Sequence, residues 1–131
     1  MSGAAILCVD DDPLILLSLT QELKAHFRSR YLYESAASAE EAFQVIAELD
    51  SEGTTLILVL SDWLMPGMKG DAFLAKVRAE HPHVRTIMIT GHASDETLAE
   101  VKRDHLTDRI LIKPWKSETL IQAIEELVEE V

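Results

Sequence analysis

Four apolar runs of the chain end in side chains able to do ionic chemistry. Ile6-Leu7-Cys8-Val9 stops at Asp10-Asp11-Asp12, and Leu56-Ile57-Leu58-Val59-Leu60 at Ser61-Asp62. Thr86-Ile87-Met88-Ile89 stops at Thr90-Gly91, and Arg109–Ile112 at Lys113-Pro114. If these runs are parallel neighbouring strands, three carboxylates, a hydroxyl and an ammonium converge on the sheet edge where open α/β folds bind ligands. Two carboxylates about 4 Å apart repel by roughly 4 kcal/mol at an effective dielectric constant of about 20. Such a cluster therefore calls for a cation. A compact, anionic, all-oxygen donor set suits Mg²⁺, which keeps several waters and is also held by phosphoryl oxygens.

The elements that would position these groups are legible. The runs ending at Asp10, Asp62 and Thr90 are apolar on both faces, the mark of strands buried between helix layers in a parallel sheet. Tyr31–Ala36 mixes in polar residues and reads as an edge strand, with Arg109–Ile112 as the other edge. Asp12 and Pro13 suit the cap and first position of a helix carrying Leu14, Leu17, Leu23 and Phe27. Ser38-Ala39-Glu40-Glu41 has capping-box spacing for a second helix. Gly70-Asp71 opens a third with Phe73, Leu74 and Val77, Ser94 starts a fourth, and Ser117 caps a fifth with Leu120, Ile124 and Leu127 inward. Five strands alternating with five helices predict a three-layer (βα)5 sandwich with right-handed crossovers.

The 131 residues fit one domain spanning 1–131, with no internal repeat or linker. Twelve Lys and Arg against 23 Asp and Glu give a net charge of −11, which disfavours nucleic acid or an anionic membrane surface as a direct partner. No apolar run approaches the roughly 18 residues of a membrane span. The first apolar run has no basic residue before it and so does not read as a secretion signal. The single cysteine, Cys8, is compatible with a reducing compartment, and a cytoplasmic location is expected.

Taken together, the stretches Ile6–Pro13, Leu60-Ser61-Asp62-Trp63-Leu64-Met65-Pro66-Gly67, Ile87–Gly91 and Lys113-Pro114 resemble, in order and spacing, the receiver domain of response regulators, the phospho-accepting part of two-component signalling. The resemblance covers nearly the whole chain. It implies a flavodoxin-like fold with sheet order 2-1-3-4-5. It implies that Asp62 takes a phosphoryl group, that Asp11 ligates Mg²⁺ directly, and that Asp10 acts mainly through metal-bound water. The metal set is thus Asp10, Asp11, Asp62 and the backbone carbonyl of Leu64, while Thr90 and Lys113 hold phosphoryl oxygens. Pro66 and Gly67 would shape the loop after Asp62, Gly91 would leave room for the phosphodonor, and a cis bond would precede Pro114. The partners implied are a histidine kinase or histidine phosphotransfer protein, an output domain or partner protein on the helix 4–strand 5–helix 5 face, and in a homodimer a second copy of the chain. The Lys113-Pro114-Trp115 ending is similar to receivers of hybrid kinases and of cyclic-dinucleotide phosphodiesterase regulators.

One position departs from the family. Receivers usually carry Tyr or Phe three residues before the lysine, where this chain has Ile110, so the expected signal route is the Gly91–Ser94 loop and the fourth helix instead of a swinging ring. Leu64 and His92 occupy positions that tune hydrolysis of the acyl phosphate in this family.

Three other functions suit a chain of this kind less well. A haloacid-dehalogenase-type phosphohydrolase would carry an Asp-x-Asp motif after its first strand, unlike Asp10-Asp11 with a separate Asp62. A pseudo-receiver acting without phosphorylation would not need the full site set. A flavodoxin-like cofactor binder would need a Ser/Thr/Gly-rich phosphate loop after the first strand. The chain accordingly reads as a switch and not as a turnover enzyme. Plainer roles suit the remaining residues: Asp12 as a helix cap, Cys8 as a small core residue, His81-Pro82-His83 as a surface turn, Trp115 as packing at a helix start, and the acidic face of the last helix as solvated. Trp63, next to Asp62, is a candidate for exposure over the site.

Overall fold

The structure, a computed structural model, describes residues 3–63, 67–91 and 107–129. Among these residues the chain forms five strands: β1 (Ala4–Val9), β2 (Leu32–Ala36), β3 (Thr55–Asp62), β4 (Arg85–Thr90) and β5 (Arg109–Ile112). Its helices are α1 (Pro13–Phe27), α2 (Ala39–Ser51), α3 (Gly70–Glu80) and the C-terminal α4 (Ser117–Glu129), with a 3-10 turn at Arg28–Arg30. The helix expected from Ser94, with His92 and the Gly91–Ser94 loop beyond Gly91, lies outside the described residues, as do Leu64 and Pro66. No described helix is long and apolar enough to cross a membrane.

The sheet is parallel throughout, in the order β2-β1-β3-β4-β5. The doubly apolar runs take its three inner positions and the two weaker runs its edges. Alternate residues of the inner strands feed opposite layers. Ala5, Leu7 and Val9 pack with Ala42, Ile46, Phe73, Leu74 and Val77 of α2 and α3. Ile6 and Cys8 pack with Leu19, Leu23, Phe27, Leu120, Ile124 and Leu127 of α1 and α4. Burying both faces in this way is what makes the strands read as unbroken apolar runs.

The expected helix starts hold at α1 and α2. The Asp12 side chain accepts a hydrogen bond from Leu14 N–H (2.9 Å), and Pro13 occupies the first turn. Ser38 Oγ accepts from Glu41 N–H (3.1 Å), while Glu41 Oε2 reaches back to Ala37 N–H (3.3 Å). Ser117 differs from expectation: it is already the first residue of α4, and its hydroxyl donates to Glu22 of α1 instead of closing its own helix. A long-range carboxylate outcompetes the local cap there.

Candidate functional site

Sheet register delivers the charged residues to one edge. Val9 pairs with Ser61, so Asp10 and Asp62 leave β1 and β3 side by side. Asp62 pairs with Ile89, and Thr90, the next residue of β4, pairs with Ile112, directly before Lys113. Backbone bonds continue the lattice past the strand ends: Asp10 N–H donates to Ala36 O (3.1 Å), Trp63 N–H to Ile89 O (3.1 Å), and Lys113 N–H to Thr90 O (2.8 Å). The Lys113–Pro114 peptide is cis.

Carboxylate oxygens of Asp10, Asp11 and Asp62 lie within 4.8 Å of one another, the one such group of possible metal-binding side chains among the described residues. Asp10 is 2% exposed, and both its oxygens are engaged: Oδ1 accepts from Asp12 N–H (2.9 Å) and Oδ2 from Lys113 Nζ (2.9 Å). The same ammonium lies 3.4 Å from Asp62 Oδ1. Asp11 is exposed and Thr90 buried. Burial raises the Asp62 carboxyl above the ordinary carboxylate range. The Asp10 charge pushes the same way, and the Lys113 ammonium only partly offsets both. Burial would weaken the Lys113 ammonium, but its bonds and charge pairing with Asp10 and Asp62 prevail and hold it above its ordinary value. Three carboxylates against one ammonium leave an excess of negative charge on oxygen donors, a set that fits a small, hard divalent cation.

Two residues beside Asp62 differ from what the sequence suggested. Trp63 is not exposed over the site. It is 6% exposed and lies in the α2/α3 core cluster, because it continues the inward face of Val59 and Ser61 at the two-residue period of a strand. Gly70 carries a steric demand that the sequence reading took only as a helix start. A Cβ there would stand 2.2 Å from Asp62 O and 3.1 Å from Met88 Sδ, and its N–H donates to Trp63 O (2.8 Å). Its position at the first turn of a helix, where Gly is not a favoured residue, was the available signal. Gly67, expected to shape the loop after Asp62, takes the left-handed conformation (φ 86°). Ile110 is partly buried against the α2/α3 cluster.

The plainer roles also hold where they can be seen. Cys8 is buried, and burial lifts its thiol to about 12. His81 Nε2 meets Asp50 Oδ2 at 3.0 Å at the opposite end of the domain's helices, in the surface turn ahead of β4. The Trp115 ring is half-buried against the α1/α4 core cluster.

Residues 6–125 match the family model of the response regulator receiver domain. The chain is 29% identical over 130 residues to the sensor kinase CckA of Brucella abortus, a match that covers 98% of this chain and 13% of that much longer protein. Among solved structures, the response regulator receiver domain protein (CheY-like) of Methanospirillum hungatei superposes with a TM-score of 0.82 at 34% identity, covering 98% of this chain and 96% of the other. The signal receiver domain of an HD domain-containing protein from Pseudomonas fluorescens gives a TM-score of 0.84 at 28% identity, with the same coverages. Sheet order, the carboxylate cluster with its paired lysine, and these matches agree: the chain belongs to the response regulator receiver domain family.

Proposed function

We propose that the chain is a phosphorylation switch in which Asp62 accepts a phosphoryl group from the phosphohistidine of a kinase or phosphotransfer protein, or from a small acyl phosphate. The observation that carries this reading is Asp62 at the end of β3, with its carboxylate beside Asp10, Asp11 and the Lys113 ammonium. An Asp62 oxygen forms the bond to phosphorus, the donor's N–P or O–P bond breaks, and that electron pair leaves on the donor atom. One anion approaching another needs positive charge and positioned donors more than it needs proton transfer. Lys113 Nζ, already between Asp10 and Asp62, reaches a phosphoryl oxygen carried on Asp62. Thr90 offers a hydroxyl from the neighbouring strand end.

Mg²⁺, when bound, supplies the neutralising charge; Asp10, Asp11, Asp62 and the Leu64 carbonyl would hold it. The excess carboxylate charge and the raised Asp62 carboxyl support a site suited to a cation. The acceptor is used once per signal and is emptied by slow hydrolysis, so the domain does not turn over as an enzyme. Its output passes to a partner protein, a further domain or a second copy through the face that includes β5 and α4, at a cytoplasmic location.

The test is intact mass after incubation with acetyl phosphate and Mg²⁺. The expected result is one added phosphoryl group per chain, absent with EDTA and absent in Asp62→Asn. An added group that survives Asp62→Asn refutes the acceptor assignment, and continuous phosphate release refutes the switch.

A further inference from the structure

We propose that Glu22 of α1 is a positioning residue for Lys113, an inference that rests on the phosphoryl-accepting reading of the site. The chain leaves β5 at Lys113 and enters α4 at Ser117. At the start of this crossing Lys113 N–H is tied to Thr90 O (2.8 Å), and at its end Leu120 N–H is tied to Lys116 O (3.0 Å). Pro114 has no N–H to contribute.

Between these points the segment spans an open groove of about 460 Å³, lined by Ile15, Ser18 and Glu22 of α1 and by Lys113, Pro114 and Trp115. The half-buried Trp115 ring packs against the α1/α4 core, but that packing alone does not fix the segment beside the open groove. Glu22 does: its Oε2 accepts from Trp115 Nε1–H (2.8 Å), and its Oε1 accepts from the Ser117 hydroxyl. Among the described residues it is the one side chain of α1 that holds the segment by hydrogen bonds, and it holds it at two points.

The other end of the same helix follows directly from Asp10 and Asp11, through the Asp12 cap. Ile15, Ser18 and Glu22 fall on one face of α1 at helical spacing. One rigid helix is thus anchored to the acidic residues at its start and to the lysine-bearing segment in its third turn. Glu22 sets the distance between carboxylates and ammonium without touching either. A charged acceptor with two donors makes stronger bonds than a neutral one, and displacement of a reacting group by about 1 Å can cost on the order of 100-fold in rate.

Three readouts on the intact chain test this. In metal-free protein, Glu22→Ala should speed hydrogen exchange of the Trp115 indole N–H about tenfold and leave β1 and β3 amides unchanged, with Glu22→Gln restoring most of the protection. With Mg²⁺ present, Glu22→Ala should weaken beryllofluoride binding about tenfold while Mg²⁺ affinity stays within about twofold, as expected for a residue that acts on the position of another. In the Lys113→Met background, Glu22→Ala should have no further effect on beryllofluoride binding, because its target is gone. An equal loss in both backgrounds, unchanged beryllofluoride binding, or unchanged exchange each overturns the proposal. If the unaltered chain binds no beryllofluoride and takes no phosphoryl group, the positioning role falls with the site reading. Faster exchange in Glu22→Ala would then mark the hydrogen bonds themselves as real.

Discussion

Lys113→Met removes the ammonium and keeps most of the aliphatic stem, leaving Asp10 and Asp62 to face each other alone. At an effective dielectric constant of about 20, a charge pair at 2.9 Å is worth about 6 kcal/mol and one at 3.4 Å about 5 kcal/mol. Those attractions are offset by the cost of desolvating the lysine, so the net effect is smaller. Removing one partner of a buried pair typically costs about 3–5 kcal/mol. Asp10 is 2% exposed but Lys113 is 22% exposed, which points to the lower end, about 3 kcal/mol. With a urea slope of about 2 kcal/mol per M for a domain of this size, the unfolding midpoint should fall by about 1.5 M. The assay is urea unfolding in EDTA at mildly alkaline pH, where protonation of Asp62 cannot relieve the repulsion. Repeated with saturating Mg²⁺, the gap between variant and parent should narrow, since the ion supplies the charge the variant lacks. A loss below about 1 kcal/mol in EDTA, or a gap unchanged by Mg²⁺, would refute the claim that the ammonium neutralises the Asp10 and Asp62 carboxylates.

Other perturbations follow from the same geometry. Gly70→Ala forces a methyl group against the backbone oxygen of Asp62, 2.2 Å away; the expected cost is at least about 2 kcal/mol, with acyl-phosphate labelling of Asp62 reduced more steeply than stability, measured by urea midpoint and intact mass. Asp62→Asn should stabilise the metal-free protein at neutral pH. Because the folded-state pKa of Asp62 lies above its unfolded value, the parent carries a penalty that is full above the folded pKa and disappears as pH falls below the unfolded one. The stability difference in EDTA should therefore grow from acidic to neutral pH, and a pH-independent difference would count against it. Cys8, buried and with its thiol raised to about 12, should react with disulfide reagents only in denaturant; rapid labelling of the native protein would contradict its burial. Asp12→Ala should lower stability by about 1 kcal/mol through loss of the α1 cap, read from the thermal midpoint.

The legibility of the chain differed by interaction range. The buried strands announced themselves because helix layers cover both faces, and Asp12 and Ser38 announced helix starts because capping is settled within a few residues. Asp10, Asp62, Thr90 and Lys113 could be placed together because register in a parallel sheet follows from strand ends. Approaches between distant segments left no comparable mark. Nothing local in Ser117 or Trp115 tells that Glu22, some ninety positions earlier, will accept from both. Trp63 was expected to be exposed over the site because it follows Asp62 directly, whereas its side chain continues the inward alternation of β3 for one more residue.

The Asp10–Lys113 pair joins residues 103 positions apart, and β5, which delivers the lysine, is the last in chain order of the five described strands. A nascent chain that has already assembled β1, β2 and β3 owns every acid of the pocket but no ammonium to accompany them. Until β5 docks, Asp10 and Asp62 face each other without the ammonium that pairs with both, so the closing of this one ion pair reports that the sheet has been completed to its far edge.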